Sequence, residues 1–159
     1  MRAVAIDILT VCRAKGLRVA TAESCTGGMV AAAITDIAGS SDVFDRGFIT
    51  YSNGAKTDML GVLPQTLADH GAVSEPVARE MAEGALAASK ADVAVSITGI
   101  AGPGGSDVKP EGRVCFGLAQ RGHDTWTETV EFGARGREAV RGAATEHALA
   151  LLLSAGKAR

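Results

Sequence analysis

The sequence has few cysteines and few aromatic residues, and it contains no long run of apolar residues. Its three cysteines, Cys12, Cys25 and Cys115, are odd in number and lack paired metal-ligand spacing, which argues against a disulfide framework or a zinc site. We predict that Cys12 and Cys115 are small buried apolar residues. No stretch approaches the roughly 18 apolar residues of a membrane span, and the opening segment lacks a signal-peptide pattern, which predicts a cytoplasmic protein.

A strong charge of either sign is also missing. The formal net charge is −2, and no run of Lys or Arg forms the basic stripe that binding to a phosphate backbone requires. We therefore do not expect nucleic acid as a direct partner, and we expect no membrane association. His70, His123 and His147 share no spacing typical of metal ligands, so no metal site and no catalytic role is predicted for them.

The composition is that of a globular domain with helices packed on a sheet. The chain has 159 residues, and its 47% apolar share relies on Ala, Val, Ile and Leu rather than on aromatics. We predict a single domain over residues 1–159 in which strands alternate with helices. This order is typical of α/β proteins and indicates a three-layer α/β/α sandwich with a mixed, mostly parallel sheet.

Apolar spacing and turn signals predict the individual elements. Helices are predicted up to a Gly16 cap, over Val30–Ile37, from Ser52 to Gly61, in a turn opened by Pro64, from Ser74 to about Ala88, and from about Arg137 to a polar tail, SAGKAR. Strands are predicted over Leu17–Thr21, Phe44–Tyr51, Val93–Ile100, RVCFGLAQ and TWTETVEF, the last two joined by a hairpin at His123 and Asp124.

The segment TAESCTGG joins a predicted strand to a predicted helix that begins at Gly27 and Gly28. Free backbone N–H groups at a helix start can hold a phosphate, or can stabilise an oxyanion if a neighbouring hydroxyl attacks a carbonyl. Ser24 or Thr26 could equally be a simple helix cap. Cys25 is a rival nucleophile, because a thiol at a helix N-terminus can be acidic.

Lys56 is the residue that could activate Ser24. A lysine in a partly apolar pocket can lose its proton and act as general base towards a serine hydroxyl. The alternative is that its ammonium group reaches solvent, as helical lysines usually do.

A second glycine-rich run, TGIAGPGGS, follows the strand VAVSI, so Thr98, Gly99 and Gly102 lie at another strand end. We expect both glycine segments to face one crevice, although a flexible surface loop would have the same composition. Arg137 and Arg141, near Arg135 at the start of the last helix, could reach a substrate phosphate or form a solvated cluster.

Four segments in order, TAESCTGG, ITDIAGSSDVFDRGFITYSNGAK, HGAVSEPVAREMA and SITGIAGPGG, closely resemble the CinA C-terminal domain family. The resemblance covers nearly the whole chain. Stand-alone members of that family are nicotinamide-mononucleotide amidohydrolases, so it implies hydrolysis of the carboxamide of a nicotinamide nucleotide to nicotinate mononucleotide and ammonia. It implies no organic cofactor and no metal.

The resemblance also implies roles for individual residues. On matching positions, Ser24 is the nucleophile and Lys56 its base, while Tyr51 and Thr98 orient the dyad or the substrate. Contacts to substrate phosphate, ribose or oxyanion are implied for a further set: Thr26, Gly27, Gly28, Gly99, Gly102, Arg137 and Arg141. The loop GIAGPGGSDVKPEG is one residue shorter than the usual family form.

Two other classes of function are compatible with the motifs. A non-catalytic nucleotide-binding or regulatory module linked to competence or DNA damage would keep the glycine loops but would tolerate loss of Lys56. A purely structural subunit would explain the core, but it would give no reason for two glycine-rich strand ends with Ser, Thr, Tyr and Lys around them. Ala-rich helix faces are compatible with a homo-oligomer.

Overall fold

The computed structural model describes residues 1–106 and 108–159, where helices and strands alternate along the chain. The helices are α1 (Arg2–Lys15), α2 (Met29–Thr35), α3 (Asn53–Leu60), α4 (Pro64–His70), α5 (Glu75–Ala87) and α6 (Arg137–Ala158). The strands are β1 (Val19–Glu23), β2 (Phe44–Ile49), β3 (Val93–Gly99), β4 (Arg113–Gln120) and β5 (Trp126–Glu131).

The five strands form one mixed sheet in the order β2-β1-β3-β4-β5. Strand β1 pairs in parallel with β2 and β3, whereas β4 runs antiparallel to both β3 and β5. The predicted mixed sheet and late hairpin are confirmed. The pairings divide evenly between parallel and antiparallel, because β4 returns directly from β3 without a crossover helix.

Helices cover both faces of the sheet and give the three predicted layers. On one face α1, α2 and α6 bury Ile8, Val30 and Leu149 against the strands. On the other face α5 buries Val77 and Met81 beside α3 and α4. Burying each such side chain contributes about 1.5–3 kcal/mol. Among the helices of residues 1–106 and 108–159, none combines the length and apolar character that crossing a membrane requires.

The helix ends follow the predicted capping residues. Gly16 closes α1 in the left-handed conformation at φ 66°, and Ser52 Oγ accepts from the Ala55 N–H at 3.0 Å at the start of α3. The predicted polar tail is wrong, because α6 continues through it to Ala158. Gly156 is buried beside α1, and Lys15 Nζ donates to its carbonyl at 2.7 Å, which holds the last turn.

The connections leaving β1 and β3 create the opening that holds the site. From β1 the chain crosses by α2 to β2 on one side, while β3 pairs with β1 on the other side. Ligands in open α/β sheets bind in the crevice beyond the carboxyl ends of the strands, where the strand order reverses. Ser24 follows β1, and the second glycine segment follows β3, at this edge.

Candidate active site

The turn after β1 carries Ser24. The Ser24 N–H donates to the Ile97 carbonyl at 2.9 Å, which continues the pairing of β1 with β3 by one residue. The chain then reverses through Gly27 at φ 57° and Gly28 at φ 104°, backbone conformations that favour glycine. The predicted strand–turn–helix unit is confirmed, although α2 begins at Met29 and Gly28 is its cap.

Glu23, which sequence reasoning missed, shapes this turn from inside the protein. Its fully buried carboxylate accepts from the Thr26 hydroxyl at 2.6 Å and from the Val30 and Ala31 N–H groups at 3.0 Å. It also accepts from the Gly28 N–H at 3.2 Å. Such a charge at a helix start is stabilised by the helix dipole. The available signal was an acidic residue that ends a buried strand and precedes the turn into a helix.

The backbone N–H groups at the start of α2 are therefore not free to hold an anion. Glu23 occupies that of Gly28, and the Gly27 N–H donates to the Ser24 carbonyl at 3.0 Å. Thr26, Gly27 and Gly28 also lie outside the lining of the cavity beside Ser24. Thr26, Gly27 and Gly28 thus build the turn, and contact of these residues with a substrate stays a prediction.

Lys56 reaches Ser24 from α3. Its side chain is 1% exposed, and Nζ lies 3.1 Å from Ser24 Oγ, 2.9 Å from the Thr50 carbonyl and 3.2 Å from the Tyr51 carbonyl. Burial lowers the pKa of Lys56 from its ordinary value, because desolvation penalises the ammonium form. The structure thus brings together the two residues of the predicted dyad, 32 positions apart in sequence.

The three contacts supply an acceptor for each N–H bond of an ammonium group, and the same arrangement also accommodates a neutral amine. The two N–H bonds of an uncharged Lys56 match the carbonyls of Thr50 and Tyr51, and its lone pair then faces the Ser24 hydroxyl. A hydroxyl that donates to an amine can be deprotonated as it attacks an electrophilic carbon. The pair is therefore equipped for nucleophilic catalysis.

Cys25 is a weak rival for the role of nucleophile. Burial raises the pKa of its thiol to about 11, so the thiol stays protonated near neutral pH. Burial also raises the pKa of the Cys12 and Cys115 thiols, and both side chains are buried as predicted.

The second glycine segment forms the opposite wall of a cavity of about 350 Å³, and both glycine-rich runs border it as predicted. Thr98 Oγ1 donates to the Ala72 carbonyl at 2.9 Å, which attaches the 71–74 turn to the end of β3. The cavity is lined by Ser24, Cys25, Tyr51, Asn53, Lys56, Ala72, Val73, Thr98, Gly99, Ile100, Ala101, Gly102, Pro103, Gly104 and Arg137.

The predicted arginine cluster divides between two tasks. Arg137 lines the cavity, and its guanidinium donates to the Gly102 carbonyl at 2.8 Å and to the Tyr51 hydroxyl at 2.9 Å. Arg141, one turn further along α6, lies outside the cavity lining and donates to the Cys25 carbonyl at 2.9 Å. Arg141 therefore supports the Ser24 turn from behind.

The three histidines lie outside the lining of this cavity. His147 pairs with Glu128 at 2.5 Å and packs on Phe116 with ring centroids 4.5 Å apart. Across residues 1–106 and 108–159, no three His, Cys, Asp or Glu side chains are grouped so that they could hold a metal ion.

Fold and site together define a class of protein: an α/β/α domain that presents a serine hydroxyl, a buried lysine and an arginine around one cavity at the strand ends. The chain belongs to the CinA C-terminal domain family, whose model matches residues 1–155.

Curated relatives share more than half of their aligned residues with this chain. The nicotinamide-nucleotide amidohydrolase PncC of Shigella flexneri is 60% identical over 143 residues, which cover 88% of this chain and 85% of the relative. The protein of the same name from Escherichia coli K12 is 59% identical over 141 residues, with the same coverage. A CinA-like protein of Akkermansia muciniphila is 53% identical over 140 residues, which are 87% of this chain but 34% of that longer protein.

Solved structures of the family have the same fold. The competence/damage inducible protein CihA of Agrobacterium tumefaciens superposes with a TM-score of 0.93 at 49% identity, over 96% of this chain and 93% of that one. A CinA superfamily protein of Escherichia coli superposes with a TM-score of 0.90 at 40% identity, over 94% and 87% of the two chains.

Proposed function

We propose that this chain is a nicotinamide-nucleotide amidohydrolase that converts nicotinamide mononucleotide to nicotinate mononucleotide and ammonia, with residues 1–159 acting as one catalytic domain. The observation that carries the proposal is the 3.1 Å contact between Lys56 Nζ and Ser24 Oγ beside an open cavity. Relatives of about 60% identity named for this activity support the choice of substrate. The three free, buried cysteines suit a reducing compartment, and we assign the activity to the cytoplasm.

The first half of the reaction transfers the acyl group to the enzyme. Ser24 Oγ attacks the carboxamide carbon while its proton passes to Lys56 Nζ, and a C–O bond forms. The resulting Lys56 ammonium then donates that proton to the amide nitrogen. The C–N bond breaks, ammonia leaves, and a nicotinoyl ester remains on Ser24.

The second half uses the same two residues with water. Lys56 accepts a proton from a water molecule as its oxygen attacks the ester carbon, and the bond to Ser24 Oγ breaks. The proton returns to Ser24 Oγ, and the product leaves as a carboxylic acid that loses its remaining proton to the solvent. Ser24 and Lys56 are thereby restored for the next cycle.

Backbone N–H groups near the nucleophile hold the oxyanion of each tetrahedral intermediate in this proposal. Sequence reasoning favoured those near Gly27 or Gly99, but the Gly27 N–H is already bonded to the Ser24 carbonyl. We assign the role to the N–H of Cys25, the residue after the nucleophile, which lines the cavity and has no interresidue hydrogen bond within residues 1–106 and 108–159. An amide in this position stabilises the oxyanion in other serine hydrolases.

The remaining cavity residues orient the substrate. Tyr51 links the two halves of the site, since its carbonyl accepts from Lys56 and its hydroxyl from Arg137. The Arg137 guanidinium can form a bidentate pair with a phosphate at the cavity mouth. Thr98, Gly99 and Gly102 form the wall against which the pyridine ring and ribose pack.

The experiment measures ammonia and nicotinate mononucleotide released by the purified protein from nicotinamide mononucleotide, with nicotinamide riboside as the substrate that lacks the phosphate. We expect Arg137→Gln to raise KM for the mononucleotide about tenfold or more, and to change KM for the riboside much less. Arg135→Gln is the matched control, because Arg135 is exposed and lies outside the cavity lining.

Two results would count against the proposal. An equal rise in KM for the mononucleotide and the riboside in Arg137→Gln would show that Arg137 does not bind the phosphate. A wild-type protein that binds nicotinamide mononucleotide and hydrolyses none of it would favour the non-catalytic nucleotide-binding module instead.

A further inference from the structure

The half-buried Glu111 connects two segments that border the cavity. Its Oε1 accepts from the Gly104 N–H at 2.6 Å, and its Oε2 accepts from the Gly136 N–H at 3.2 Å. Gly104 belongs to the second glycine segment, and Gly136 is the N-terminal cap of α6. One carboxylate therefore joins the loop after β3 to the helix that carries Arg137.

The two segments meet a second time at the cavity itself. Arg137 directly follows Gly136, and its guanidinium donates to the Gly102 carbonyl at 2.8 Å. Gly102 lies against Glu111 so closely that a Cβ there would be 2.5 Å from the carboxyl carbon. The contacts thus form a closed ring from Glu111 through Gly104, Gly102, Arg137 and Gly136 back to Glu111.

The negative charge of Glu111 also stabilises this ring of contacts. A carboxylate that accepts from backbone N–H groups makes stronger hydrogen bonds than a neutral oxygen does. The N-terminus of the 22-residue helix α6 adds a favourable electrostatic interaction with the negative charge. A separate contact holds the loop near Glu111, because Lys109 Nζ donates to the His70 carbonyl at 2.6 Å and to the Val73 carbonyl at 2.5 Å.

We infer that Glu111 is a positioning residue, which holds the glycine loop against the start of α6 and thereby sets the distance of Arg137 and Gly102 from Ser24. Glu111 lies outside the cavity lining, so it acts through these residues and not on the substrate. The inference rests on the proposed amidohydrolase function for its catalytic consequence, while the hydrogen-bonded ring itself can be tested without substrate.

The kinetic test compares Glu111→Gln and Glu111→Val with the same two substitutions at Glu138, an exposed acidic residue in the first turn of α6. We expect Glu111→Val to raise KM for nicotinamide mononucleotide about tenfold with kcat changed less than about threefold, because binding contacts away from the reacting bond are lost. Glu111→Gln keeps one acceptor oxygen, so its KM should lie between those of Glu111→Val and wild type. An active wild type with an unchanged KM in Glu111→Val would overturn the inference.

A second measurement does not depend on turnover. In ¹H–¹⁵N NMR spectra at one pH, we expect the Gly104 and Gly136 N–H groups both to exchange faster with solvent in Glu111→Val than in wild type, because both lose the same acceptor. Amides that do not respond to the substitution would overturn the ring. If the wild type hydrolyses no nicotinamide mononucleotide but the Gly104 and Gly136 amides still respond together to the substitution, the proposed function is contradicted and the ring is supported.

Discussion

At the scale of single residues, the proposed mechanism makes the reactivity of Ser24 depend on how Lys56 is buried. The lysine is enclosed by two backbone carbonyls and one hydroxyl, and no carboxylate in residues 1–106 and 108–159 pairs with its amine. Burial without a counter-charge favours the neutral form, which is the form that accepts a proton. Burial has the opposite effect on the reactivity of Cys25, because it disfavours the thiolate, which is the reactive form.

The pH dependence of turnover follows from the lowered pKa of Lys56. Its neutral form dominates above that pKa, so kcat/KM should rise with pH and level off before the ordinary lysine value of 10.5.

Lys56→Met should lose activity by about 10²–10⁴-fold, as expected for loss of a general base. Lys56→Arg is the control for charge. Its guanidinium cannot be deprotonated, so this variant should be as inactive as Lys56→Met. Substantial activity in Lys56→Arg would contradict the general-base role.

Individual site residues could be predicted from the sequence only where a motif marked them. Ser24 and Lys56 lie in such motifs, but their 3.1 Å approach depends on how α3 packs beside β1, which no local pattern encodes. Glu23 escaped notice because a buried carboxylate is recognised by its donors, and those lie in the following helix. Arg141 was expected to contact substrate, and its bond to the Cys25 carbonyl was not foreseen, because that backbone partner is distant in sequence.

At the scale of elements, helix α5 fixes the position of α3 and hence of Lys56. Gly84 of α5 faces the end of α3, where a Cβ would lie 2.0 Å from the Leu60 carbonyl oxygen. The two helices approach closely because this position lacks a side chain. Any side chain there would push α3 away from the sheet and move Lys56 with it.

A pair of identical substitutions tests this close packing. Gly84→Ala should lower the free energy of unfolding by about 1–3 kcal/mol or more, because the added methyl overlaps backbone atoms. Gly142→Ala in α6 is the matched control: nothing lies within 4 Å of its added Cβ, so it should stabilise by about 0.5–1 kcal/mol through helix propensity. Denaturant unfolding of both variants gives the comparison, and equal effects would contradict the packing argument.

Helix caps were the most predictable elements, and strand limits were the least. Gly16, Ser52 and Ser74 mark helix ends through local backbone and hydroxyl chemistry that is visible in sequence. Strand β1 begins two residues later than predicted, at Val19, because its limits are set by pairing with β2 and β3. The polar end of α6 stays helical because tertiary contacts with α1 override its composition.

At the scale of the whole molecule, the strand order decides where the site lies. Strand β1 lies between β2 and β3, so its following turn opens beside the loop after β3 at one edge of the sheet. Alternating strands and helices predicted the layers, but not the order in which the strands pair. Assembly into a homo-oligomer stays a prediction.

Binding of the substrate should stabilise the whole fold. A ligand at 100 times its Kd adds about 2.7 kcal/mol to the free energy of unfolding, which corresponds to a rise in Tm of roughly 5–10 °C for a chain of this size. We expect nicotinamide mononucleotide to produce such a shift in Ser24→Ala, a variant chosen to prevent turnover. Nicotinamide alone is the control and should shift Tm much less. Equal shifts from both compounds would contradict recognition of the nucleotide portion.

In the proposed reaction Ser24, and not the neighbouring Cys25, attacks the carboxamide. The most direct measurement is the rate of ammonia release from nicotinamide mononucleotide by wild type, Ser24→Ala and Cys25→Ala, each shown to be folded by circular dichroism. We predict that Ser24→Ala loses at least about a thousandfold in kcat while Cys25→Ala stays within about tenfold of wild type. Turnover retained in Ser24→Ala and lost in Cys25→Ala would contradict this prediction.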